Sequence, residues 1–83
     1  MPSFNVTMQG YRFRGAGPSL PVVAGNAREA CAQACSEIEA SDLPLTAGRR
    51  GRDLGAFDLD NCAPETGWWR YAGDGWRADV VRA

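Results

Sequence analysis

The stretch Gly67–Arg82 reads Gly-Trp-Trp-Arg-Tyr-Ala-Gly-Asp-Gly-Trp-Arg-Ala-Asp-Val-Val-Arg. Two alternating runs flank a Gly-Asp-Gly turn, and this pattern predicts a β-hairpin. Successive side chains of a strand point to opposite faces, so the hairpin sorts its own residues. Trp69, Tyr71, Trp76, Ala78 and Val80 fall on one face; Trp68, Arg70, Arg77, Asp79 and Val81 fall on the other. The first set is a core face. The second is mostly charged yet carries a tryptophan, and aromatic and Arg side chains are the enriched anchors of interfaces.

The preceding chain supplies elements for that core face. Phe4, Val6 and Met8 alternate with Asn5, Thr7 and Gln9, a strand with one apolar face. Gly10 breaks the pattern, and Tyr11 and Phe13 continue on the opposite parity, which predicts a bulge at Gly10. Leu20, Val22 and Ala24 begin a shorter strand, and Pro21 favours an edge position for it. Asn26 is a good helix N-cap, and Glu29 completes a capping-box-like pair. The helix is expected from Ala27 to Ala40, with Ala27, Ala30, Cys31, Ala34, Cys35 and Ile38 forming one stripe of mostly small residues. Leu43 and Leu45 are expected to tuck back under the sheet. Phe57 and Leu59 alternate with Asp58 and Asp60 in a third strand, and residues 61–67 read as a connection. The order is β-β-α-β-β-β. It makes a single small α+β domain over residues 1–83, one helix packed on one face of a mainly antiparallel sheet. No element is left for the other face, and antiparallel sheets tolerate one wet face.

Composition removes several function classes. The net charge is −1, so no global field attracts DNA or an anionic membrane. All nine basic residues are Arg and Ile38 is the single isoleucine, a usage that points to a GC-rich genome, bacterial or a mobile element in such a host. There is no His, which removes the commonest general base and the commonest metal ligand together. No stretch is apolar enough to span a membrane, and Met1-Pro2-Ser3-Phe4 lacks a signal-peptide pattern. The expectation is a cytoplasmic protein without a cofactor.

The chemistry-bearing residues are few. Cys31 and Cys35 lie one helical turn apart on the apolar stripe, and with Cys62 they do not make a zinc spacing. All three are expected to be buried thiols used as small hydrophobes. Arg49, Arg50 and Arg52 sit in a Gly-rich loop that lacks the P-loop Lys-Ser/Thr; such a loop suits phosphates or acidic protein groups, or is simply solvated. Asp58 and Asp60 are expected to share a strand face, set across strands from Arg70 or Arg77. Glu37, Glu39 and Asp42 gather at the helix C-terminus, where the dipole prefers cations; either a partner needs that charge, or it has no meaning, since the term is small and screened.

The chain resembles small phage anti-CRISPR proteins that inhibit type I effector complexes. The likeness is carried by Val22, Ala24, Asn26, Ala27, Glu29 and Ala30 leading into the helix, with Trp69, Tyr71, Asp74, Gly75 and Trp76 in the terminal hairpin. It implies a stoichiometric, non-catalytic inhibitor of phage or mobile-element origin. Such a protein docks on the Cas7-like backbone or the large subunit of the surveillance complex (Cascade) and blocks target DNA, with acidic groups imitating phosphates. The expected contact set is Trp68, Arg70, Asp58, Asp60, Asp79 and Arg77. The alternative is a small nucleic-acid-binding domain that uses the loop site Arg49, Arg50 and Arg52.

Overall fold

The alternating N-terminal run forms β1 (Ser3–Gln9), in which Phe4, Val6 and Met8 are buried and Asn5 and Thr7 exposed. The computed structural model describes residues 1–13, 17–41 and 53–83. Among these the chain continues through β2 (Ser19–Val23), α1 (Ala27–Ala40), β3 (Phe57–Ala63), a short 3-10 turn (Pro64–Thr66), β4 (Trp68–Gly73) and β5 (Trp76–Arg82). The architecture is α+β: five strands in the order β2-β1-β5-β4-β3, every neighbouring pair antiparallel, with α1 on one face. Leu43 and Leu45 lie outside the described residues, so their expected place beneath the sheet is not described.

The C-terminal hairpin closes as its alternation requires. Gly73 pairs with Trp76 across Asp74-Gly75, and Gly75 takes a positive φ of 80°. Its second strand then inserts beside β1, so β5 is the central strand and Val80 is fully buried against Val6. Pro21 lies on the edge strand β2, where a missing N–H leaves no ladder bond unmade.

The helix begins where its cap places it. Asn26 Oδ1 accepts from the Glu29 N–H at 2.9 Å, and Glu29 Oε2 accepts from the Gly25 N–H at 3.0 Å. The stripe Ala27, Ala30, Cys31, Ala34, Cys35 and Ile38 is the buried face. It packs on β2, β1 and β5. With Ala at both Ala30 and Ala34, the helix approaches the sheet closely. Ala34→Phe is therefore expected to overpack this layer and lower stability by about 1–3 kcal/mol. A melting temperature equal to the parent's would place the stripe away from the sheet.

Two local expectations are corrected. Gly10 ends β1 in a turn and is not a bulge: its φ is 125°, and a Cβ there would stand 2.5 Å from the Gly75 carbonyl oxygen. The Arg12 N–H then donates to that same carbonyl at 3.2 Å. The chain end of β1 is thus sewn to the hairpin turn, Phe13 enters the core, and Tyr11 is left exposed. Glu39 also has an internal role. Its Oε2 accepts from the Leu54 N–H at 2.6 Å, and the Trp76 indole N–H donates to the Leu54 carbonyl at 2.9 Å. Leu54 is fully buried between those two anchors. The carboxylate at the end of α1 therefore positions the chain entering β3.

Candidate functional site

The face of the sheet away from α1 is built in transverse rows, because antiparallel register sets residues of neighbouring strands side by side. One row, from β2 to β3, runs Pro21, Asn5, Val81, Trp68, Ala63. The next runs Ser19, Thr7, Asp79, Arg70, Asn61. A third runs Gln9, Arg77, Ala72, Asp58. A mostly apolar row with a tryptophan therefore lies beside a hydrogen-bonded polar row.

The centre of this face is a fixed cluster. The Arg70 guanidinium stands over the Trp68 ring, 5.3 Å from its centroid. Its Nε donates to Asp79 Oδ1 at 2.8 Å, and the Gln9 side-chain amide donates to Asp79 Oδ2 at 2.5 Å. Asp79 thus holds Arg70 from β4 and Gln9 from β1 with separate oxygens. The hydrogen bond and charge of Asp79 raise the pKa of Arg70 above its usual value, and the charge of Asp60 acts in the same direction. In the same row, the Thr7 and Ser19 hydroxyls stand 3.2 Å apart and link β1 to the edge strand. Side chains already held in one geometry lose less rotamer freedom on docking. The exposed Val81 and Val23 give this face apolar area as well.

Five of the expected contact residues, Trp68, Arg70, Arg77, Asp79 and Asp58, are brought together on this face. Asp60 arrives differently from the expected simple alternation. The register of β3 on β4 shifts between Leu59 and Asn61, so Asn61, not Asp60, pairs with Arg70. The extra residue is Asp60, and β3 continues to Ala63 where a connection was expected. The ion-pair partner of Arg70 is Asp79 on the adjoining strand, not an aspartate of β3. Arg49, Arg50 and Arg52 lie outside the described residues.

The sequence pattern put Gln9 on this face but outside the expected contact set, and it did not single out Ser19 and Asn61. Their polarity and parity were visible, but joining them to Trp68 and Arg70 requires knowing that β5 pairs with β1 and where β3 slips. Trp69 is a further correction. It was expected in the core beside Trp76 but is only half-buried at the core's rim, because α1 packs over β2, β1 and β5, away from the β4 side.

The thiols divide for the same reason. Cys31 and Cys35 are buried under the helix, while Cys62, opposite Trp69 on β3, is half-buried, contrary to the expectation for all three. A hydrogen bond with Cys31, together with burial, pushes the Cys35 thiol well above its ordinary value, which suppresses the reactive thiolate. A thiol reagent at neutral pH is expected to label Cys62 in the native protein and Cys31 and Cys35 only after unfolding. Rapid native labelling of Cys31 would contradict the packing of α1. Among the described residues no group of three His, Cys, Asp or Glu stands together as a metal site, and no helix is long and apolar enough to cross a membrane.

No protein-family model matches the chain, and no curated protein or solved structure matches it.

Proposed function

We propose that this protein is a non-catalytic binding protein that docks onto a protein partner through the open face of its sheet. The observation that carries the reading is the Trp68–Arg70–Asp79–Gln9 cluster. It is an aromatic ring under a guanidinium, pinned by a carboxylate, at the middle of a sheet face that α1 leaves uncovered. Buried interface centres favour Trp and Arg with satisfied hydrogen bonds. Asp58 and Asp60 at the β3 side add acidic groups for a basic partner surface.

The resemblance to small anti-CRISPR proteins supplies the partner. The face occupies a DNA-accepting surface of a type I surveillance complex, on its Cas7-like backbone or large subunit, and blocks target DNA in the cytoplasm of a bacterial host. Inhibition is stoichiometric, with no turnover and no cofactor. Mixing the purified protein with a type I surveillance complex is expected to give co-elution and loss of target DNA binding in proportion to the protein added. Failure to co-elute with type I complexes would remove this partner. Direct binding to DNA or RNA that weakens steeply from low to physiological salt would favour the nucleic-acid-binding alternative instead.

A further inference from the structure

On the helix side of the sheet, toward β4, a cavity of about 430 Å³ opens. Its floor holds three aromatic rings: Phe4 from β1, and Trp69 and Tyr71 from β4. Phe4 and Trp69 meet edge to face, with ring centroids 5.9 Å apart. One wall is Ala27, in the first turn of α1. The rim carries Arg28 from α1 and Arg82 from β5, and among the described residues that line the space none is Asp or Glu.

Both guanidinium groups are held by rings. Arg28 lies over Phe57 at 4.8 Å, and Arg82 over Trp69 at 5.4 Å. Among the described residues neither has a carboxylate partner. A guanidinium lying over a ring still has N–H groups to donate, and such groups can take an oxyanion in a fork. At the helix N-terminus, Asn26 takes the Glu29 N–H and Glu29 takes that of Gly25. The anion-binding groups are the two Arg side chains.

The geometry points to a small-molecule site for an aromatic ring bearing an oxyanion, a carboxylate or a phosphate. The ring rests on the Phe4–Trp69–Tyr71 floor, and the anion sits between Arg28 and Arg82. The volume falls within the range of small-molecule clefts, which are mostly apolar with a few convergent polar groups. This site lies on the other side of the sheet from the proposed docking face and stands independently of it.

Titrations followed by amide NMR and tryptophan fluorescence test the assignment. Indole-3-acetate probes the ring with a carboxylate, adenosine 5′-monophosphate the ring with a phosphate, and indole and inorganic phosphate probe each half alone. At least one of the two acids is expected to saturate, with Kd at or below about 1 mM and at least about tenfold tighter than either half. Shifts are expected at Ala27, Arg28 and the Trp69 indole. Arg28→Gln, at an exposed helix position, and Arg82→Gln are each expected to weaken that acid by about tenfold or more, while Trp68→Ala leaves it unchanged. Parallel melting curves confirm that the variants fold. If Arg82→Gln does not fold, Arg28→Gln alone decides. Which acid binds assigns the oxyanion. No saturation by either acid, equal binding of indole alone, or indifference to the Arg substitutions would overturn the site.

Discussion

Trp76→Ala is expected to lower stability by about 3–5 kcal/mol, the range for removing a large aromatic side chain from a packed core. Trp76 is only 2 % exposed and packs edge to face on Phe57, with centroids 5.9 Å apart. Its indole N–H is also the donor to the Leu54 carbonyl, in a buried hydrogen bond that ties the entry to β3 to the central strand. A loss of that size is a large fraction of the marginal stability of a small domain. Trp76→Phe separates the two contributions. It keeps an aromatic ring and leaves the Leu54 carbonyl without this donor, for an expected loss of about 1–3 kcal/mol. Chemical denaturation of both variants measures the order. Equal losses would mean that the hydrogen bond, not the ring, anchors Leu54.

The elements that local rules govern were legible in the sequence. The alternation through Trp68–Arg82 gave the hairpin and its two faces, because strand periodicity depends only on neighbours in the chain. Asn26, Glu29 and the Ala27–Ile38 stripe gave the helix and its buried side for the same reason. What remained hidden depends on contacts distant in sequence. Nothing in Val80 or Val6 says that β5 lies between β1 and β4. The slip at Asp60 is a property of two strands, not of one. Glu39 reads as a misplaced acid until Leu54 is brought to it. Gly10 reads as a bulge until the Gly75 carbonyl is seen to occupy the space of its Cβ. For the candidate site, the charged face with its Trp68 was visible, whereas the Gln9–Asp79–Arg70 chain that fixes it was not.

Trp68→Ala is expected to weaken partner binding by about 1–4 kcal/mol, the effect of truncating an interface anchor. Its effect on folding is expected to be small, because the ring is half-buried on the sheet face that α1 does not cover. The neighbouring Arg70 loses its stacking surface in this variant but keeps its ion pair with Asp79. The change is therefore expected chiefly in the dissociation rate, as is usual for variants within one interface. A binding loss matched by an equal loss of stability would mean that Trp68 supports the sheet rather than the contact.

The most direct test of docking through the open sheet face compares Kd for a type I surveillance complex across two sets of variants. The first reverses the acids of β3, Asp58→Arg with Asp60→Arg. The second removes the loop cations, Arg49→Ala, Arg50→Ala and Arg52→Ala. If the sheet face is the docking surface, the first set loses affinity along with Trp68→Ala, while the loop set binds like the parent and all variants remain folded. Loss of binding by the loop set, with the Trp68 and Asp58/Asp60 variants unchanged, would contradict it and make the Arg loop the contact surface.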